Sequence, residues 1–156
     1  MDQLLRIGVI GSHECGPEVR DAARRVGRLI AESGAVLVCG GLGGVMQAAA
    51  EGAREAGGLT VGLLPGDDAR TANPGIVIAI PTGLGDARNA VVAHAAEAAI
   101  AVAGSWGTLS EAALCLRNGV PLIRLMSELP PLPCPEADTA EAAVEWSLDQ
   151  ARRRRG

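Results

Sequence analysis

The residues best suited to chemistry lie in one glycine-rich segment, 104–111 (GSWGTLSE). The apolar run at 98–103 (AAIAVA) precedes it and predicts a buried strand, and Ala112, Ala113 and Leu116 follow it at helical spacing. The segment therefore joins the carboxyl end of a strand to the start of a helix. Free backbone N–H groups and the positive end of a helix dipole meet at such a turn, and both favour a phosphate or another anion.

Glu111 has two interpretations that its spacing leaves open. Thr108 and Glu111 form the pattern Thr-x-x-Glu, which is typical of a capping box at the start of a helix. In that interpretation the carboxylate accepts from the cap amide and is structural. A carboxylate beside a phosphate-binding turn could instead orient or deprotonate water, which would make Glu111 catalytic.

Two further glycine turns are predicted at the same edge of a sheet. The predicted strand at 5–10 ends in Gly11-Ser12, and the predicted strand at 35–39 is followed by GGLGG at 40–44, which opens a helix. Three such turns at one edge favour anion binding over turn geometry alone. The candidate ligand-binding residues are therefore Gly11, Ser12, Gly40, Gly41, Gly43, Gly44, Gly104, Ser105, Trp106, Gly107 and Thr108.

Several kinds of site are excluded by what the sequence lacks. All 14 basic residues are arginine, so no lysine exists for a Walker-type P-loop or a Schiff base. The GxGxxG dinucleotide fingerprint fails in GLGGVM at 41–46, and the next predicted strand ends in two leucines rather than an acidic ribose ligand. Histidine and acidic residues do not recur at ligand spacing, so no metal site is predicted.

Composition also limits the partners and the compartment. The net charge is −4 and no basic stripe alternates with aromatic residues, so we expect no nucleic-acid partner. No apolar run approaches the ~20 residues that span a bilayer, so we expect no membrane contact and a cytoplasmic protein. The four cysteines lie far apart without a CxxC pair, which predicts reduced thiols.

Strands and helices alternate along the whole chain and must position the turns. This alternation predicts a single Rossmann-like α/β domain over 1–156, with three α/β/α layers and a mostly parallel sheet of about six strands. The prolines at 130–135 predict irregular structure, and 136–156 are expected to form a C-terminal helix with a solvated arginine tail. The predicted strands cover 5–10, 35–39, 59–64, 76–80, 98–103 and 121–125.

Three segments resemble one known family. The segments at 39–53 (CGGLGGVMQAAAEGA), 83–92 (GLGDARNAVV) and 103–114 (AGSWGTLSEAAL) are similar to the Rossmann-like family of the LOG phosphoribohydrolases, the molybdenum-cofactor carrier proteins and the DNA-processing protein DprA. The similarity runs through about residue 125 and is closest to the shorter, carrier-like branch. It implies a nucleotide or molybdopterin as bound ligand, no required cofactor, and a homo-oligomer (dimer or tetramer).

The resemblance also implies a catalytic pair. LOG enzymes hydrolyse the N-glycosidic bond of a nucleoside 5′-monophosphate, and they carry the pattern PGGxGTxxE with an upstream arginine. By position, Arg88 matches that arginine and Glu111 the glutamate, while Gly104, Gly107 and Thr108 match the phosphate-binding turn.

Three positions depart from the enzyme pattern. Ala103 replaces its proline, Ser105 replaces its second glycine, and Asn89 stands where the enzymes typically carry lysine. These changes leave phosphate binding intact but put hydrolysis in question. A non-enzymatic carrier or sensor of a pterin phosphate is therefore the alternative to a phosphoribohydrolase.

Arg88 and Trp106 keep alternatives of their own. A cation at a helix start opposes the dipole, so we expect Arg88 to have an anionic partner, or else to form a surface ion pair. Trp106 could stack on a base or a pterin ring, or it could make a packing or dimer contact.

Overall fold

A computed structural model describes residues 2–156 and contains seven strands and five helices longer than one turn. Two single-turn 3₁₀ segments, Ala69–Thr71 and Gly85–Ala87, lie in the loops that flank the fourth strand. The strands are β1 Arg6–Ile10, β2 Val36–Cys39, β3 Thr60–Leu64, β4 Ile78–Pro81, β5 Ala98–Val102, β6 Leu122–Leu125 and β7 Glu136–Ala137. The helices are α1 Pro17–Glu32, α2 Val45–Glu55, α3 Arg88–Ala95, α4 Trp106–Arg117 and α5 Ala140–Arg155.

The strands form one parallel sheet in the order β4-β3-β2-β1-β5-β6-β7. The chain winds outward from β1 to β4, then returns and lays β5 on the other side of β1, where Ile10 pairs with Ala101. The direction of winding therefore reverses between β1 and β5. Connections leave the two strands on opposite sides at this point, which opens a crevice at their carboxyl ends.

Helices cover both faces of the sheet, as the predicted three-layer α/β/α fold requires. Helices α1, α2 and α5 pack on one face, and α3 and α4 pack on the other. The core is built from aliphatic side chains and alanine, with Ile7, Leu37 and Ile100 fully buried. No helix within residues 2–156 has the length and apolar character needed to cross a membrane.

Two glycines bring α1 and α2 close together. A Cβ on Gly27 would collide with the carbonyl of Ala49, and a Cβ on Gly52 would collide with the carbonyl of Arg24. Direct backbone contact at these two points lets the helices pack against β1 and β2 without large side chains between them. The turns that follow β1 and β2 are thereby held next to each other.

The predicted alternation of strands and helices is confirmed. Five of the predicted strands differ from the observed ones by one residue at one end, and two further differences in the sheet are larger. A seventh strand, β7, follows the prolines directly and pairs with β6 through Arg124 and Leu125. A strand of two residues is too short to show an alternating pattern of apolar and polar residues in the sequence. The fourth strand begins at Ile78 rather than at residue 76, and it forms an edge whose Ile78 and Ile80 side chains are exposed.

The terminal arginines at 152–155 are exposed, and they continue helix α5 to Arg155. Arg155 donates to both carboxylate oxygens of Glu97, at 2.5 and 2.7 Å, and to the carbonyls of Gln3 and Leu4. The side chain of Glu97 is 11% exposed, and it also accepts from the amide of Arg6. The last turn of α5 is therefore fastened to the start of β1 and to the residue before β5.

Replacing Arg155 by alanine should lower the urea concentration at the midpoint of unfolding, because the largely buried carboxylate of Glu97 would keep fewer donors. Arg153→Ala is the matched control, since Arg153 pairs with Asp149 on the surface and should change stability by at most about 0.5 kcal/mol. Urea unfolding of the two variants measures the difference. Equal losses would show that the Arg155 contacts do not anchor the helix.

Candidate functional site

The turn between β5 and α4 lies at one side of the crevice. Ala103 and Gly104 have φ angles of 53° and 151°, so the backbone bends sharply out of the strand. Helix α4 starts at Trp106 with Ser105 as its N-cap, and the Ser105 amide donates to Thr108 Oγ1 at 3.1 Å. The capping box is therefore Ser105–Thr108. The predicted box of Thr108 and Glu111 is wrong, because the helix begins three residues earlier than that pattern assumes.

The first turn of α4 leaves backbone donors open. The amides of Trp106 and Gly107 have no acceptor within residues 2–156, as expected for the first residues of a helix. Gly107 has no positive φ, and a Cβ there would meet nothing closer than Ser105 Oγ at 4.0 Å. Neither the backbone conformation nor packing requires a glycine at this position. A glycine here keeps space free above two unpaired amides.

The turns after β1 and β2 are packed against each other. Ser12 accepts from the amide of Val45 at 3.0 Å, so the first amide of α2 is already paired. A Cβ on Gly44 would collide with the backbone of Ser12 and His13, and a Cβ on Gly11 would collide with the side chain of Val45. The Ser12 hydroxyl donates to the carbonyl of Glu14. Close packing therefore accounts for Gly11 and Gly44.

Gly40 and Gly41 are buried beneath this pair of turns. Gly40 lies against the guanidinium of Arg88 and the sulfur of Met46, and Gly41 lies against Leu64. The Gly41 amide faces Cys39 Sγ at 3.4 Å. Gly43 is partly exposed, and its nearest neighbour across the turn is the carbonyl of His13. The start of α2 also keeps open donors, since the amides of Met46 and Gln47 have no acceptor within residues 2–156. The first turn of α4 differs in being exposed at Ser105, Trp106 and Gly107.

Arg88 is buried and does not form the surface ion pair that was the alternative at the sequence level. It is 6% exposed, and its Nη1 donates to the carbonyls of Gly40 and Leu63 at 2.8 and 3.2 Å. Its Nε is buried and has no hydrogen-bond partner within residues 2–156. No carboxylate in the described chain lies within 4.0 Å of it. Its positive charge is therefore held below the crevice and is not neutralised by direct contact.

Glu111 is also buried, and it faces the same region from α4. It is 8% exposed; burial raises its pKa to about 7, while the nearby charge of Arg88 acts in the opposite direction. Burial also raises the pKa of the Cys39 and Cys115 thiols to about 12, and the negative charge of Glu111 adds to this effect. These two thiols are therefore protonated near neutral pH and do not serve as nucleophiles.

The structure brings the residues proposed from the sequence to one sheet edge, in two layers. Glu111 and Arg88 lie underneath as a buried acid and a buried cation, and the α4 turn lies at the surface. Trp106 is 86% exposed, so it does not pack within the chain. Such an arrangement can hold an anion on the open amides and can gain or lose a proton beneath it.

Sequence reasoning missed one wall of the site. The segment after β6 lies beside the α4 turn, and its Leu129 side chain packs on Gly104. Glu128, Leu129 and Pro130 line a cleft of about 320 Å³ together with Trp106. The signal was present, since the loop after a parallel strand at this edge must reach the same region, but the prolines were interpreted only as breakers of regular structure.

Glu111→Gln should flatten the pH dependence of stability between about pH 5 and 8. The folded chain keeps a proton on Glu111 up to about pH 7, whereas the unfolded chain loses it near the ordinary value of 4.5. The free energy of unfolding of the natural protein therefore falls as pH rises through this window, by up to about 3 kcal/mol. Glutamine stays neutral and removes that fall. The measurement is chemical unfolding of the natural protein and of Glu111→Gln at a series of pH values. If the free energy of unfolding changed equally with pH in both proteins, the burial of this acid would be contradicted.

Comparison with known proteins agrees with this architecture. The model of the SLOG cluster4 family matches residues 4–151. An uncharacterized protein of Archaeoglobus fulgidus is 43% identical over 152 residues, which cover 96% of this chain and 98% of that protein.

Solved structures of molybdenum-cofactor proteins are similar over nearly the whole chain. The molybdenum cofactor binding protein of Rippkaea orientalis is 35% identical with a TM-score of 0.88, over 94% of this chain and 97% of that one. The molybdenum cofactor carrier protein of Chlamydomonas reinhardtii is 30% identical with a TM-score of 0.87, over 96% of this chain and 99% of that one.

DprA is more distant. The Helicobacter pylori protein, described as binding single-stranded DNA, is 22% identical with a TM-score of 0.72, over 93% of this chain and 80% of that one, and it shares the fold. The predicted relation to carrier-like Rossmann proteins is confirmed, and with DprA the chain shares the fold. The chain belongs to the SLOG cluster4 family.

Proposed function

We propose that this protein binds a phosphorylated pterin at the crevice between β1 and β5 and acts as a carrier of the molybdenum cofactor. One observation carries the proposal: the first turn of α4 presents the open amides of Trp106 and Gly107, with free space above Gly107. Similar structures that bind or carry the molybdenum cofactor support the identity of the ligand.

The phosphate would lie on the first turn of α4. The two unpaired amides can each donate a charge-assisted hydrogen bond to an anion there, and the helix dipole adds an electrostatic attraction. The buried guanidinium of Arg88 adds a permanent positive charge below the crevice. Its Nε has no hydrogen-bond partner among the described residues, and no acidic side chain among them pairs with the guanidinium. An anionic ligand is therefore favoured even though the chain as a whole is acidic.

The residues fit a cargo that must be held and then released. The open amides and the exposed Trp106 lie at the surface, where a ligand enters and leaves without unfolding of the chain. No bond in the cargo has to change for this role. The molybdenum centre would be carried as part of the ligand, and no cluster of metal-binding side chains was found within residues 2–156.

A second candidate function is hydrolysis of the N-glycosidic bond of a nucleoside 5′-monophosphate. The observation that favours it is Glu111, whose pKa of about 7 allows it to accept and donate a proton near neutral pH. In that reaction water attacks the anomeric carbon while the bond to the base breaks. Glu111 accepts the proton from water, and the base takes up a proton as it leaves.

One experiment separates the two candidates. The purified protein is incubated with a panel of nucleoside 5′-monophosphates, and free base and ribose 5-phosphate are measured; in parallel, it is titrated with a monophosphorylated pterin. The carrier proposal predicts saturable binding of the pterin and no release of base. Release of base that Glu111→Gln abolishes would replace the carrier by a phosphoribohydrolase.

Gly107→Ala should weaken binding of ribose 5-phosphate about tenfold without loss of stability. The added methyl group would occupy the free space above the open amides, while alanine is the better helix former. Gly66→Ala is the matched control, because a Cβ at this exposed glycine also meets nothing within 4 Å. Calorimetric titration measures affinity and thermal unfolding measures stability. Unchanged affinity for Gly107→Ala would contradict a phosphate at this turn.

We also propose that the protein is a homo-oligomer. The edge strand β4 and its flanks leave Val77, Ile78, Ile80 and Leu84 between 42 and 51% exposed. An apolar, uncharged edge strand is normally covered by a partner. Ile80→Lys should then shift the mass measured by light scattering to that of a single chain. The same mass for both proteins would contradict an interface at β4.

A further inference from the structure

A cleft of about 320 Å³ lies beside the phosphate-binding turn and is not used by the phosphate. Its walls come from Trp106 and Leu109 at the start of α4, and from Glu128, Leu129 and Pro130 after β6. Gly104 and Ser105 join the two walls. A ligand whose phosphate lies on the amides of Trp106 and Gly107 would therefore have the rest of its structure next to this cleft.

One wall of the cleft, the segment after β6, is held in place by contacts with the rest of the chain. Leu129 lies against Gly104, where a Cβ would come within 2.5 Å of it. The amide of Leu129 donates to Ser127 Oγ at 3.2 Å, and the amide of Ser127 donates to Glu136 at the start of β7. The proline-containing wall is thereby attached to the sheet and is in place before a ligand arrives.

One wall of the cleft is an aromatic ring that is almost fully exposed among the described residues 2–156. Trp106 is 86% exposed, although an indole is among the largest apolar groups a protein can bury. Leu129 and Pro130 supply apolar surface opposite it. A flat ring system placed between these walls would stack on the indole and cover it.

The mouth of the cleft adds a carboxylate. Glu128 is exposed, and its side chain has no hydrogen-bond or ion-pair partner within residues 2–156. An ionised carboxylate only accepts hydrogen bonds, and its two oxygens match two parallel N–H donors. A ring with a 2-amino group beside a protonated ring nitrogen presents such a pair, and pterin and guanine share this edge.

We infer that the cleft between Trp106 and Leu129 binds a 2-amino-4-oxo ring, with Trp106 stacking on the ring and Glu128 accepting from its paired N–H groups. The inference rests on the proposed function, because the ring is part of the same phosphorylated ligand. It adds a way to distinguish rings that carry paired N–H donors from rings that lack them, which the phosphate-binding turn alone does not provide. Adenine, uracil and hypoxanthine lack the paired donors and should bind more weakly.

Guanosine 5′-monophosphate and inosine 5′-monophosphate give the sharpest test, since they differ only in the 2-amino group. Calorimetric titration of the natural protein should show at least about tenfold tighter binding of the guanine nucleotide. Glu128→Gln should remove this preference, and Glu145→Gln, an exposed glutamate on α5, should keep it. Trp106→Leu should weaken both nucleotides by about tenfold or more. Equal affinities for the two nucleotides in the natural protein would overturn the inference.

Two further probes separate this inference from the proposed function. Binding of ribose 5-phosphate tests the turn alone, and binding of 6-hydroxymethylpterin or guanosine tests the cleft alone. If ribose 5-phosphate binds but neither ring compound does, the phosphate site stands and the ring inference fails. If a ring compound binds in a Glu128-dependent way without ribose 5-phosphate binding, the inference stands and the phosphate site fails. The tighter of the two ring compounds identifies pterin or guanine as the natural ring.

Discussion

The arrangement of the site depends on the burial of one guanidinium. Arg88 begins α3, and the carbonyls of Gly40 and Leu63 accept from it where β2 and β3 end. A buried cation must find acceptors, and the carboxyl ends of parallel strands supply backbone carbonyls at this edge. Gly40 has to be a glycine, because a Cβ would collide with the guanidinium. The helix start, two strand ends and one glycine turn are thereby fixed together.

This constraint has consequences for charge. The carbonyls satisfy hydrogen bonds of Arg88 without neutralising it, and Glu111 is near enough to be affected by its charge without forming an ion pair. Positive potential therefore remains under the crevice, where the dipole of α4 adds to it. An acidic chain can in this way hold an anion at one place on its surface. The raised pKa of Glu111 is a result of the same burial, and at about 7 it lets Glu111 gain or lose its proton near neutral pH.

The sequence allowed prediction of the fold more fully than of the site. Alternating strands and helices, with glycine turns after β1, β2 and β5, indicated the parallel sheet and the edge at which ligands bind. The start of α4 was misplaced because Ser105-x-x-Thr108 and Thr108-x-x-Glu111 both fit a cap, and only the bend at Ala103 and Gly104 decides between them. The burial of Arg88 and the wall formed by Leu129 depend on contacts across more than 20 residues of sequence, which local patterns do not show.

The central claim is that the open amides of α4 bind the phosphate of the ligand. Titration of ¹⁵N-labelled protein with ribose 5-phosphate, followed by amide chemical shifts, tests this directly, because an amide that donates to a phosphate shifts downfield. The account predicts saturable downfield shifts that are largest at Trp106 and Gly107. Saturation with the largest shifts elsewhere, for example at the amides of Gly43 and Gly44, would contradict it.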